Sequence, residues 1–173
     1  ANTNDGNCTY GIAGCTDSSA CNYDANATAN DGSCTYAQAP LDCNGNCPNG
    51  GLYVVYTAGA YASENSFTIT DCDGNVIAEM TSGLNGYDSC VVLPAVYSVN
   101  LVDSWGDGWN GGILTVDGVD YTIATGSLSN SLIGGPCPIY GCTDPAAANY
   151  DSTATVNATS SSDPTDPCNY GIP

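Results

Sequence analysis

The pattern of apolar and polar residues changes texture twice along the chain. Up to about residue 47, apolar positions are scattered among Asn, Asp, Gly and Cys with no sustained period of 2 or 3.6, which predicts a loop-rich segment held by cross-links and ions. From Gly51 to about Ile133 short β-rich runs follow one another: "GLYVVYTA", "SFTIT", "NVIAEM", "SCVVLPAVYSVNLVD", "GILTVDG", "VDYTIAT" and "NSLIG", separated by Gly, Asn and Asp turns. Several alternate, as in Tyr97, Val99 and Leu101 against Ser98, Asn100 and Val102. Short alternating runs at regular spacing predict an all-β, jelly-roll-like β-sandwich. No run has the 3.6 period of an amphipathic helix. After Gly134 the loop-rich texture returns. The expected plan is a repeat module over 1–47, a β-sandwich over 48–136 and a second repeat module or linker over 137–173.

Composition narrows the chemistry. The 173 residues contain no Lys, Arg or His against 18 acidic residues, a formal charge of −18 with nothing internal to offset it. Such a chain repels itself when compact unless cations bind it. Nucleic acid is excluded as a partner, because phosphate contacts need Lys and Arg, and an anionic membrane surface is excluded for the same reason. Without His or Lys there is no Ser/His or Cys/His pair and no Schiff-base or P-loop lysine, so the chain reads as a non-enzyme. Glu64 and Glu79 are the only glutamates, and nothing around them fixes a glycosidase separation. The 42% hydrophobic residues, 12 Tyr and 11 Cys indicate a folded chain rather than a disordered one. Cysteine at this density without histidine favours disulfides over zinc, hence an oxidising compartment: secreted, at the cell surface or in an appendage. No apolar run is long enough to insert in a membrane. The start at Ala1 without an apolar leader reads as a processed form or a segment of something longer.

One phrase occurs twice, as "GCTDSSACNYDANATANDGSC" from Gly14 to Cys34 and as "GCTDPAAANYDSTAT" from Gly141 to Thr155, while "NDGNC" before Gly11 reads like its closing half alone. In the first copy Asp17, Asn22, Asp24 and Asp31 offer hard oxygen ligands at loop spacing, which suits Ca²⁺. The same residues would otherwise cap their own backbone as Asx turns. The second copy replaces the "DGSC" tail by "VNATSSSDPTDPC", which removes a second-half ligand. A second candidate calcium site is "LVDSWGDGWNGGILTVDG". Here Asp103 and Asp107 stand four apart in a Gly-rich turn, with Asn110 and Asp117 following. Glycines 106, 108, 111 and 112 permit the left-handed backbone that lets oxygens converge. Otherwise it is a long hairpin turn with Trp105 and Trp109 folded onto the sheet.

The phrase resembles a tandem repeat of the form GCTDxxAxNYxxxAxxxDGSC, of large secreted and surface proteins of environmental microbes. It matches at Gly14, Cys15, Thr16, Asp17, Ala20, Asn22, Tyr23, Ala27, Asp31, Gly32, Ser33 and Cys34, and in the second copy at Gly141, Cys142, Thr143, Asp144, Ala147, Asn149, Tyr150, Asp151 and Ala154. The stretch around Asp103 resembles D-S-x-G-D-G-W-N-G-G of β-sandwich modules in secreted multidomain proteins. These resemblances imply an extracellular, repetitive, structural protein without known catalysis.

A full phrase opens and closes on cysteine, so Cys15 is expected to bond Cys34 and Cys142 to bond Cys168. Strand-neighbour logic offers Cys72 with Cys90 and Cys47 with Cys137, leaving Cys21 with Cys43. Cys8 is then odd. Its partner lies outside the chain as given, in a neighbouring copy, or it bonds Cys21 while Asp5 and Asn4 are shared non-covalently with a neighbour. A partner supplied by a neighbouring copy, or the non-covalent sharing, leads to head-to-tail homopolymers whose contacts need not close. N-glycosylation acceptors stand at Asn7, Asn26 and Asn157, and "TATVNATSSSDPTDP" reads as an O-glycosylated linker. Two functions follow: a building block of a fibre or of a large surface adhesin, and alternatively a calcium-dependent carbohydrate-binding module with Trp105 and Trp109 stacking on sugar rings.

Overall fold

A computed structural model describes residues 11–159 and 163–171. The expectations on Asn4, Asp5, Asn7 and Cys8 therefore lie outside the described residues. The fold is all-β: among the described residues, helical pieces are confined to three-residue 3-10 turns at Pro48–Gly50, Ala62–Glu64 and Gly83–Asn85. None of the described helices is long and apolar enough to cross a membrane.

The first module is framed by β1 (Ala13–Gly14) and β2 (Ala29–Asn30), which pair in parallel. Next come β3 (Leu52–Thr57), β4 (Asn65–Thr70), β5 (Val76–Met80), β6 (Tyr87–Val91), β7 (Tyr97–Asp103), β8 (Ile113–Val116), β9 (Val119–Tyr121) and β10 (Leu128–Ile133). The second module repeats the parallel pair with β11 (Tyr140–Gly141) and β12 (Val156–Asn157). Strands β3 to β10 form two antiparallel four-stranded sheets, ordered β6-β3-β8-β9 and β10-β7-β4-β5. The chain crosses between sheets at most connections and stays within one only at the β4–β5 and β8–β9 hairpins, which is jelly-roll-like connectivity.

The chain divides into two compact units. One gathers the residues up to Thr57 with Tyr87–Val92 and Leu114–Tyr121, so it holds the first module and the sheet β6-β3-β8-β9. Period-2 alternation buries Val54 and Tyr56 of β3, Val91 of β6, and Leu114 and Val116 of β8. Its β8–β9 hairpin turns on Asp117-Gly118, with φ of 48° and 78°, the two left-handed residues that a type I′ turn needs. The other unit gathers Ala58–Gly86, Leu93–Ile113 and the residues from Thr122 on. It buries Phe67 and Ile69 of β4, Ala78 and Met80 of β5, and Tyr97, Val99 and Leu101 of β7. The alternation read in "VYSVNL" is thus the in-and-out alternation of β7.

Five disulfides staple the chain: Cys15–Cys34, Cys21–Cys43, Cys47–Cys90, Cys72–Cys137 and Cys142–Cys168. Two differ from the strand-neighbour expectation, which paired Cys72 with Cys90 and Cys47 with Cys137. That expectation placed Cys72 and Cys90 on adjacent strands, whereas β6 pairs with β3 and β4 pairs with β5 and β7. Each bond therefore stays with its own sheet. Cys90 faces Tyr53 on β3, so Cys47, just before β3, reaches it. Thr70, Ser98 and Leu132 form one row across β4, β7 and β10. Cys72 continues β4 past that row and Cys137 continues the chain beyond β10, so their bond spans β7.

Candidate functional site

Strand β7 ends on Asp103, whose side chain is turned inward and only 1% exposed. The following turn wraps around this carboxylate: Oδ2 accepts the backbone N–H of Gly106 at 2.6 Å and of Gly108 at 3.0 Å. Gly108 makes the approach possible. Its φ is 100°, and a Cβ there would stand 2.7 Å from the carbonyl oxygens of Ile123 and Ala124. Burial pushes the Asp103 carboxyl up, but the backbone N–H groups of Gly108, Gly106, Trp105 and Asp107 together hold it below its ordinary value.

Register decides what joins Asp103. Asn65 at the start of β4 lies opposite Asp103, and Ser104 N donates to Glu64 O at 3.0 Å, so the Ala62–Glu64 turn is bonded to the β7 turn. Asp107, at the exposed crest, accepts from Asn110 Nδ2 at 3.2 Å. The ligand oxygens of Glu64, Asp103 and Asp107 lie within 4.8 Å of one another. Burial first, then the charges of Asp107 and Asp103, push the Glu64 carboxyl up. This crowding of negative charge disfavours the ionised form of Glu64, and a nearby cation would relieve it. An all-oxygen donor set suits a hard cation.

Of the residues expected to ligate here, Asp103 and Asp107 come together. Asn110 stands beside them, with φ 47° and Nδ2 also donating to Gly108 O at 2.8 Å, so its amide fastens the turn. Asp117 takes no part, being the first residue of the β8–β9 turn. Glu64 was not anticipated as a ligand. Its only sequence signal was being one of two glutamates, and its arrival depends on the β4–β7 register, which no local pattern shows. The tryptophans part company. Trp109 is fully buried, with Nε1 donating to Val102 O at 2.9 Å, whereas Trp105 is 80% exposed. With Tyr61, Glu64 and Asp107, Trp105 lines a cavity of about 290 Å³. Tyr61 is itself 67% exposed and has φ 55°, a conformation bulky residues rarely adopt.

The phrase residues are spent on hydrogen bonds. Asp17 Oδ1 accepts from Ser19 N at 2.9 Å and Ser19 Oγ at 2.7 Å, while Oδ2 accepts the Tyr36 hydroxyl at 2.9 Å. Asn22 donates to Ser33 O at 2.7 Å and accepts from Thr35 N at 2.8 Å. Asp24 accepts Asn26 N and Asp31 accepts Ser33 N, each at 2.9 Å. These are Asx turns plus two long-range ties, and among the described residues these four are not gathered into a metal-sized cluster. Of the glycosylation candidates, Asn26 is exposed, with Nδ2 3.3 Å from Asp24 Oδ1. Asn157 is exposed too, but its amide donates to Asp166 at 3.1 Å and accepts from Thr143 N at 3.3 Å.

No family model, no curated protein and no solved structure matches the chain.

Proposed function

We propose that this is an extracellular structural protein, a building block of a head-to-tail fibre or a repeat unit of a large surface adhesin. The observation that carries the reading is a module built twice, before and after the strands of the two sheets, each copy closed by its own disulfide between the ends of the phrase. Such duplicated, cross-linked modules on either side of a domain suit joining it to its neighbours. Five disulfides in an all-β chain fit an oxidising exterior. Calcium bound by Glu64, Asp103 and Asp107 would neutralise the carboxylate cluster found among the described residues of a −18 chain. Electron microscopy of the native material tests the reading. Ordered filaments or long surface arrays are expected; dispersed monomers at millimolar calcium would refute it.

The exposed Trp105 and Tyr61 beside two carboxylates favour the second reading, carbohydrate binding, in a reduced form. Trp109 is withdrawn from it by burial, so stacking would fall to Trp105 with Tyr61. A glycan array at saturating calcium, with Trp105→Ala alongside, decides it: binding lost in the variant supports the reading, and silence from the parent protein ends it.

A further inference from the structure

Four strands end the two sheets, and among the described residues each leaves a row of backbone groups without a neighbouring strand. Proteins blunt such edges with charge, proline or bulges. Here three are charged: β5 carries Glu79 and follows Asp71 and Asp73, β6 carries Asp88, and β9 carries Asp120 beside Asp117. Strand β10 is different. It has no charged residue, no charge occurs anywhere between Asp120 and Asp144, and no residue of β10 is buried. Leu128 is 73% and Leu132 47% exposed, on the face where Val102 of β7 is also exposed. In a chain of net charge −18, β10 is the edge strand that carries no charge of its own, the Asp103 turn adjoining only its Ser127 end.

Its sequence says which molecule. Leu128-Ser129-Asn130-Ser131-Leu132 reads the same in both directions, and beyond the unmatched Ser127 and Ile133 the glycines Gly126 and Gly134 again correspond. Antiparallel pairing about a two-fold axis at Asn130 places Asn130 opposite itself and Leu128 opposite the second copy's Leu132. Backbone polarity agrees. Asp103 N donates to Ser127 O at 2.8 Å, which makes Ser127–Asp103 a hydrogen-bonded pair. By alternation Ser129, Ser131 and Ile133 also point their backbone groups at β7, and Leu128, Asn130 and Leu132 point theirs outward. The palindrome thus pairs residues whose N–H and C=O groups are turned to the partner.

The Asn130 side chain donates to Asn100 Oδ1, and Asn100 donates to Thr68 Oγ1 at 3.4 Å, so the central residue is held by a ladder across the sheet. The Asn130 amide has a second hydrogen, which with Oδ1 can make the reciprocal Asn–Asn contact across the axis.

We propose that β10 is a homotypic edge at which a second copy of this chain adds antiparallel, joining two four-stranded sheets into one through self-pairing centred on Asn130. The contact is isologous and small, so it differs in kind from a head-to-tail joint: it bundles chains laterally and gains strength by repetition along an array.

Disulfide trapping at the axis is the test, because hydrogen-bonded antiparallel pairs bring Cα atoms to about 5.5 Å, within disulfide range. Asn130→Cys is expected to form covalent chain dimers under mild oxidation at least about tenfold faster than Leu128→Cys, whose cysteine would face Leu132 of the second copy. Joining Leu128→Cys with Leu132→Cys should restore the trap. Asn130→Asp places two negative charges on the axis and should weaken self-association at least about tenfold by sedimentation. That measurement needs no new thiol, so it still decides the matter if Asn130→Cys disturbs the native disulfides. Equal trapping of Asn130→Cys and Leu128→Cys, or identical sedimentation of Asn130→Asp and the parent chain, overturns the proposal.

Discussion

The first module closes its disulfide over 19 residues and the second over 26, yet the two are hung on the same bonds. Asp24 N donates to Cys15 O at 2.9 Å, and Asp151 N to Cys142 O at 2.9 Å. Thr28 Oγ1 accepts from Ile12 N, and Thr155 Oγ1 from Ile139 N. Asn22 holds Ser33 and Thr35; Asn149 holds Pro167 and Asn169. Tyr36 donates to Asp17, and Tyr170 to Asp144, both at 2.9 Å. Each of these matched Asp, Asn, Thr and Tyr side chains has a bond to make. Where they diverge, at Asp31-Gly32-Ser33 against the longer tail before Cys168, the loop only needs to return. Asp31 was the metal ligand missing from the second copy, and that copy closes without it. The motif is therefore a hydrogen-bonded clamp before it is anything else.

The copies differ in one support. Cys21 of the first bonds Cys43, while Ala148 stands in the matching place in the second, sharing only its backbone bond, Cys21 N to Thr35 O and Ala148 N to Asn169 O. The largest effect should come from exploiting this. Removing Cys142–Cys168 by paired serine substitutions is expected to cost about 3 kcal/mol through loop entropy and to abolish hydrogen-exchange protection at Asp151 and Thr155. The equivalent removal of Cys15–Cys34 leaves Cys21–Cys43, and Cys21 N–H should keep measurable protection. Equal collapse of both modules would break the comparison.

Added calcium is the probe that would divide the clamps from the Asp103 turn. If the ion sits at Glu64, Asp103 and Asp107, calcium a hundredfold above its dissociation constant should raise the melting temperature by about 5–10 °C. Exchange protection should rise at Gly106 and Gly108 and stay unchanged in both modules. A rise in the modules would return Asp17, Asn22, Asp24 and Asp31 to the list of ligands, and no rise anywhere would remove the metal.

A smaller effect separates the two asparagines. Asn22→Ala and Asn149→Ala each delete a two-bond tie at an exposed site, worth about 1 kcal/mol. The Asn149 variant should lose more by thermal unfolding, since no second disulfide backs it.

Much of this was legible in the sequence, because it rests on local chemistry. The alternation of β7 fixed which residues face inward, and the paired cysteines of each phrase stand at its ends. Glu64 was hidden, because a register between β4 and β7 brings it to Asp103. The partners of Cys72 and Cys90 were hidden for the same reason: a strand's neighbour depends on which sheet it joins. Trp105 and Trp109 sit four apart in one glycine-rich turn and end at 80% and 0% exposure. The difference arises from Trp109 N donating to Ile123 O at 2.8 Å, a long-range bond that draws that ring inward.

The smallest effect is the one on which the modules should agree. Backbone and side-chain bonds from Ser19, then the Tyr36 hydroxyl, hold the Asp17 carboxyl below its ordinary value; Ala146 N and then the Tyr170 hydroxyl do the same for Asp144. A carboxyl lowered by folding stabilises the module at pH above its unfolded value, and that contribution fades as pH falls through the folded one. The tyrosines move the opposite way. The bond to Asp17 pushes the Tyr36 hydroxyl above 10, and the bond to Asp144 does so for Tyr170. Their contribution is complete below pH 10 and is lost as pH rises through the folded value. Each clamp should therefore be firm across the neutral range and loosen at both extremes. Ultraviolet titration of the parent chain against Tyr36→Phe and Tyr170→Phe should assign one late-ionising tyrosine to each module. Asp17→Asn and Asp144→Asn should each bring its partner's ionisation back toward 10. If only one tyrosine responds, the modules share a backbone but not the clamp, and the repeated Asp and Tyr need another explanation in the copy that fails.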